Sequence, residues 1–217
     1  MEHTNQTRFT KYKAIGHVLF GFIIYFSFGC LMGIFAKYLD NLALNNDEIW
    51  HRFLELFDLR NVFSRLAIWA LIAFIIALKS KNAWHAAFFV YGFFIGMMMG
   101  YYAVTIYISG FFPRQVMIFW ILITHVTPIL AWLVWHMNEE NILSNVMASV
   151  VLAFFISQAF SFGYWYVDFR YFVEGVILLV SSVLVYKSRK QFITTLVVAI
   201  VLAPLFDWVL IRVLGGF

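Results

Sequence analysis

Seven continuous apolar runs, each close to the length that crosses a bilayer, dominate this chain. They cover Ala14–Phe35, Val62–Leu78, Ala86–Ser109, Gln115–His136, Val146–Val167, Tyr171–Tyr186 and Gln191–Val213. A helix needs about 20 apolar residues to cross the hydrocarbon core. In lipid every backbone N–H and C=O must be satisfied within the protein, so only helices and closed barrels cross. Barrel strands alternate apolar and polar residues over about ten positions, whereas these runs are unbroken. The expectation is an all-α, polytopic transmembrane bundle of about seven spans. It falls to six if the last run, interrupted by Pro204, Asp207 and Arg212, is broken or re-entrant.

Composition closes off the water-soluble alternatives. Hydrophobic residues make up 64% of the 217, and charged residues only 12%, where soluble chains carry about 25%. So little charge cannot cover a wet surface, which excludes soluble enzymes, nucleic-acid modules and secreted disulfide scaffolds. The length suits a single integral membrane domain over 1–217. The lone cysteine, Cys30, excludes an intramolecular disulfide and reads as a packed small residue. No lipoprotein leucine precedes it. The first apolar run is too long for a signal-peptide core and lacks an A-x-A site.

Charge at the helix ends sets an expected orientation. Arg8, Lys11 and Lys13 precede the first run, Lys79 and Lys81 follow the second, and Lys187, Arg189 and Lys190 follow the sixth. Basic residues concentrate on the cytoplasmic side, so the expectation is a multi-pass cell-membrane protein with its amino terminus in the cytoplasm. The net charge of +4 follows from these ends and implies no nucleic-acid partner. The loop at 137–145 runs against the pattern, because it carries Glu139 and Glu140 and no basic residue.

The long connection at 36–61 has a helical period of its own. Polar groups at Asp47, Glu48, His51, Arg52, Glu55 and Asp58 alternate with Ile49, Trp50, Phe53, Leu54, Leu56 and Phe57. This predicts one amphipathic surface helix near 47–59, with Asn46 or Asp47 as N-cap. It seals the bundle or acts as a lid over a binding site.

Small residues mark helix contacts. Gly92, Gly96 and Gly100 recur every four residues and share one face of the third run; Gly29 and Gly33 repeat the spacing in the first, with Gly21 eight residues earlier. Such faces let membrane helices approach closely, either within the chain or against a partner subunit.

Ionisable groups at membrane depth are candidate functional positions because they are costly there. His125 lies mid-run between Thr124 and Thr127, beside Pro128; Gln158 lies mid-run between Ser157 and Ser161. If the fourth and fifth spans face each other, His125 and Gln158 line one cavity. Otherwise His125 is a neutral imidazole bonded to a neighbouring helix. A second group gathers near the opposite membrane face: Lys37, Asp40, Arg65, Asp168, Arg170, Glu174 and Asp207. Buried charges must pair. The group therefore forms either a salt-bridge ring or a charged pocket for a polar solute, rimmed by Tyr101, Tyr102, Trp165 and Tyr166.

Enzyme signatures are absent. There is no H-E-x-x-H, no G-x-S-x-G and no P-loop G-x-x-x-x-G-K-[ST]. Glu139 and Glu140 lack the following Arg and the partner histidines of intramembrane proteases. No metal-ligand spacing occurs, and no cofactor is expected.

Several stretches carry a resemblance. GIFAKYLD at 33–40, FFIGMMMGYY at 93–102, GFFPR at 110–114, YVDFRYFVEGVILL at 166–179 and VYKSRKQFITT at 185–195 resemble an uncharacterised family of small bacterial multi-pass membrane proteins, mainly Gram-positive. The resemblance spans about residues 14–205 and implies a membrane fold and a bacterial origin. A looser similarity is to the substrate-binding subunits of energy-coupling-factor importers, which typically have six spans and dock a partner through small-residue faces.

The leading functional expectation is a membrane-embedded solute-binding or transport component for a small polar or amphipathic molecule. Lys37, Asp40, Arg65, Asp168 and Glu174 would form its mouth, with His125 and Gln158 deeper. A partner subunit, an ATPase module or an ion gradient would supply energy. The alternative is a non-transporting partner-binding protein, an immunity factor or sensor accessory, that uses the Gly92/Gly96/Gly100 face or the 47–59 helix. A third reading is an intramembrane enzyme acting on lipid or isoprenoid substrates.

Overall fold

The structure is a computed structural model and describes residues 2–42, 49–110 and 114–214. It is nearly all helical. The order is α1 (Glu2–Asp40), α2 (Ile49–Leu56), α3 (Leu59–Val62), α4 (Leu66–Lys79), α5 (Ala83–Ser109), α6 (Arg114–Trp135), α7 (Ile142–Ala159), α8 (Phe172–Val185) and α9 (Arg189–Leu214). A 3-10 turn, His136–Asn138, links α6 to α7. Between α7 and α8 lies a small antiparallel ribbon, β1 (Phe160–Phe162) with β2 (Val167–Phe169).

Five helices among the described residues are long and apolar enough to cross a membrane: Gly16–Asp40, Ala83–Ile108, Val116–Asn138, Ile142–Ala159 and Arg189–Arg212. The second and sixth expected spans are α4 and α8, apolar helices of 14 residues each. At a rise of about 1.5 Å per residue each covers about 21 Å, less than the hydrocarbon core of about 30 Å. The expected seven thus become five full-length helices and two short ones.

The direction of successive helices alternates. At one end of the bundle, the Trp135 indole donates to the Ser80 carbonyl (2.9 Å), the Asn138 amide to the Leu78 carbonyl (3.2 Å), and Lys187 to the Glu139 carbonyl (2.7 Å). Contacts at the other end join Asp40, Ser64, Tyr101, Arg65 and Glu174. Helices α1, α5, α7 and α9 therefore run one way, and α4, α6 and α8 the other.

Helices α1 and α5 are parallel and packed backbone to backbone. A Cβ placed on Gly29 would lie 2.0 Å from the Phe93 carbonyl oxygen, one on Gly33 2.1 Å from that of Met97, and one on Gly96 2.0 Å from that of Phe26. Only glycine fits at such separations, which is how helices associate where lipid removes the hydrophobic drive.

Two apolar cores result, and α4 belongs to both. One joins α4 through Ala67, Leu71 and Phe74 to α7, α8 and α9; the other joins α4 through Trp69, Ile76 and Ala77 to α1, α5 and α6. The molecule is thus two helix groups sharing one short central helix.

Local chemistry explains the boundaries. The Asn82 side chain accepts the His85 N–H and the Asn141 side chain the Ser144 N–H, each at 2.8 Å, which caps α5 and α7. Gly110, with φ of 66°, ends α5 in the left-handed region. Pro128 cannot donate to the Thr124 carbonyl one turn earlier; the Thr127 hydroxyl donates to it instead, at 2.8 Å, and α6 continues.

One sequence expectation is corrected. The fifth run, read as Val146–Val167, is helical only to Ala159. Its remaining apolar residues form β1 and the aromatic turn, because Phe-Ser-Phe suits a strand as well as a helix. The bundle stays nearly all-α, with this short ribbon its extended part among the described residues. The last run, which the sequence left open to a break, is one continuous helix: α9 continues past Pro204 to Leu214. Proline is tolerated in membrane helices where neighbours re-satisfy the backbone.

Within the amphipathic segment expected near 47–59, α2 turns Leu54 inward and leaves Ile49, Trp50, Phe53 and Leu56 exposed. An exposed apolar face beside Arg52 and Glu55 suits the membrane interface. Asn46 and Asp47, the expected caps, lie outside the described residues.

Candidate functional site

The two helix groups do not close completely. A cleft of about 610 Å³ lies between them, walled by α4 (Leu66, Ala70, Ala73, Phe74, Ala77), α5 (Val90, Phe94), α6 (from Phe119 to Val134), α7 (Val151, Phe154, Phe155) and Phe206 of α9. Alanines at 70, 73 and 77 fall on one face of α4 by helical spacing, and their short side chains leave the space open. Ligand pockets are usually apolar with a few placed polar groups. Here the wall's single hydroxyl, Thr127, already donates to the Thr124 carbonyl.

The cleft opens sideways. On α6, Leu122, Val126 and Leu130 line it at four-residue spacing, yet they are 62%, 49% and 53% exposed. In a bilayer that side faces hydrocarbon.

The cleft lining itself carries no charged residue among those described; two of its residues adjoin charged ones in the chain. Leu66 in the wall follows Arg65, and Phe206 precedes Asp207. Arg65 pairs with buried Glu174 at the start of α8 and with Asp58 at the α2–α3 turn; its guanidinium carbon also sits 4.0 Å from the centre of the Tyr171 ring. Arg170 pairs with buried Asp207, whose other oxygen accepts the Phe162 N–H at 2.9 Å. This ties the ribbon to α9. Arg65 Nη2, Arg170 Nε and Glu174 Oε2 are buried without a hydrogen-bond partner.

Lys37 and Asp40 lie nearby, on the last turns of α1. Asp40 accepts hydrogen bonds from the Tyr101 hydroxyl (2.7 Å) and the Ser64 hydroxyl (3.1 Å), and the Lys37 ammonium lies 5.2 Å from the Tyr101 ring centre.

The remaining expected residues are dispersed. Asp168 is exposed on β2, opposite Ser161, and does not join Glu174. His125 points away from the cleft; its Nδ1 meets the Ile121 carbonyl at 2.8 Å, and its ring lies edge-on to Tyr91 of α5. Neither His125 nor Gln158 is in the cleft wall, so the shared cavity expected of that pair does not form. Helical rotation decides this: Val126 and Thr127 turn inward on α6, and His125 does not. Of the expected aromatic rim, Tyr102 is buried, while Trp165 and Tyr166 stand exposed at the ribbon's turn. Gly92, Gly96 and Gly100 face α1 and offer no open surface. No group of three metal-ligating side chains occurs among the described residues.

At the opposite end, the short loop carries its acids without a basic residue of its own. Lys187 reaches in from the α8–α9 turn to the Glu139 carbonyl and the Ser144 hydroxyl, at 2.7 and 2.8 Å. Glu139 also contacts His136 Nδ1 (2.9 Å) and accepts from the Asn141 amide (2.6 Å). The hydrogen bond with His136 holds the Glu139 carboxyl below the ordinary glutamate range.

No protein-family model, curated protein or solved structure matches the chain. Function is therefore read from the cleft and from the charged groups.

Proposed function

We propose that this protein is a membrane-embedded binding component for an amphipathic molecule. The apolar body occupies the cleft between the two helix groups, and the polar head meets Arg65, Glu174 and their neighbours. The cleft carries the reading: its walls are apolar, its one hydroxyl is engaged, and Leu66 of its wall directly follows the ion-paired Arg65. Those walls favour an amphipathic ligand over a wholly polar solute. Any transport step would draw energy from a partner subunit or an ion gradient. The amino terminus belongs in the cytoplasm on this reading, because Lys79, Lys81, Lys187, Arg189 and Lys190 gather at one end of the bundle. The likeness to small bacterial multi-pass proteins is part of the same proposal.

Native mass spectrometry of gently extracted protein tests it. The expected result is a reproducible small-molecule adduct that Ala73→Phe, which fills the cleft, removes from folded protein. Protein without an adduct, or an adduct unaffected by filling the cleft, would overturn the reading.

A further inference from the structure

The charged groups lie short of where the long helices end. On α5, Tyr101, which donates to Asp40, stands 18 residues past Ala83, about 27 Å along the axis. On α9, Asp207, which accepts from the Phe162 N–H of the ribbon, stands the same 18 residues past Arg189. A hydrocarbon core is about 30 Å thick. Both helices then continue, α5 to Ser109 and α9 to Leu214, about 10 Å further in each case. These overhangs expose Ile106, Tyr107 and Ile108 on α5, and Trp208 and Ile211 on α9. In a bilayer crossed by α5 and α9, the level of Tyr101 and Asp207 is therefore the boundary between acyl chains and headgroups, not bulk water.

The ribbon leaves the bundle at this level, and its turn is fixed. Asp207 holds Phe162, the Arg170 N–H donates to the Ala159 carbonyl, and the Gly163 N–H donates to the Tyr166 carbonyl across the turn, the last two at 2.9 Å. The tip so held is aromatic. Tyr164 and Trp165 are 100% and 98% exposed, and Tyr166 is exposed beside them. A turn fixed in this way, with three rings that nothing in the chain covers, is set to meet something outside the chain. Tyr and Trp join an apolar ring to a polar tip and concentrate where a membrane meets water. Helix α2 lies at the same end: Asp58, just beyond it, pairs with Arg65, and the Phe57 ring packs on Phe172 of α8 with 5.2 Å between centres.

We infer that the Tyr164–Tyr166 tip is a lipid anchor, seated in the interfacial layer of the bilayer that the bundle crosses. It takes phospholipid without selecting the headgroup, because no charged side chain lies between Phe160 and Val167. This anchor is independent of what the cleft binds.

Full-length protein in phosphatidylcholine liposomes tests it, with Trp165 as the reporter. The difference in tryptophan emission between the protein and Trp165→Phe isolates that ring; Trp165→Tyr is the reference should the first variant fail to fold. Three quenchers are compared: lipid brominated near the top of the acyl chain, lipid brominated near its end, and iodide in the water on both sides. The expected result is quenching several-fold stronger by the shallow bromolipid than by either of the others. Quenching chiefly by iodide would overturn the anchor and put the tip in water. Quenching chiefly by the deep bromolipid would overturn its interfacial depth. Protection from all three would overturn it in favour of a covering protein, a second copy or another partner.

Discussion

Gly29 of α1 lies against the Phe93 carbonyl of α5, with room for a hydrogen and none for a methyl group. The same holds in reverse for Gly96 against Phe26, so the two helices interlock from both sides. Neither backbone can yield without breaking its own helical hydrogen bonds. Gly29→Ala and Gly96→Ala are each expected to destabilise the protein by about 3 kcal/mol, the upper range for overpacking. Gly16→Ala, whose Cβ would meet nothing within 4 Å, is expected to be neutral or to gain about 0.5 kcal/mol from helix propensity. Unfolding titrations in detergent micelles compare the three.

The Arg65–Glu174 pair is held at low exposure, 15% and 3% for the two side chains. Removing one partner strands the other, at a cost of about 3 kcal/mol. Arg65→Met and Glu174→Gln should each show that loss. The double variant should lose less than the two together, because neither charge is then left unpaired. A double-mutant cycle that came out additive would show that the pair does not couple.

Asp207 joins α9 to the ribbon by accepting from both Arg170 and the Phe162 backbone. Asp207→Ala should loosen residues 160–169 while leaving the helical core intact. Hydrogen exchange reads this directly, as faster exchange confined to the ribbon and the start of α8. Uniform acceleration across the bundle would assign Asp207 a global role instead.

Glu139 gives a pH dependence of defined sign. Its carboxyl is held below the ordinary range, chiefly by the hydrogen bond with His136. A depressed folded-state value means the contribution to stability is present above the ordinary glutamate range and is lost as pH falls through the depressed value. Glu139→Gln should therefore lower the midpoint of thermal unfolding slightly near neutrality and make no difference in strong acid. The effect is small because the group is solvated.

The helical, membrane-crossing character was legible in the apolar runs because lipid leaves few alternatives. The small-residue spacing of Gly92, Gly96 and Gly100 likewise announced close packing, though not that α1 would be the helix to cover it. The ribbon was not legible: Phe160 to Phe162 extends an apolar run, and hydrophobicity alone does not separate a strand from one more helical turn. Nor was the cleft, since an opening between helices depends on how far short side chains such as Ala70, Ala73 and Ala77 let their neighbours stand apart. His125 illustrates the limit for sites. Its depth was readable, but which way it faced depended on the rotation of α6, and one residue of rotation separates it from Val126 in the wall.

Set across a bilayer, helix α8 would act on the bilayer itself. It is 14 residues long, and Leu179 and Val183 stand well exposed on its outer side. Its apolar length falls about 9 Å short of the average hydrocarbon core. Lipid beside so short a helix would have to thin, at a cost of fractions of a kcal/mol per Å of mismatch. That cost falls on one flank only, where full-length helices do not hold the membrane at its resting thickness. A flank of this kind would favour thinner membrane, and two copies that shared it would deform less bilayer than two apart.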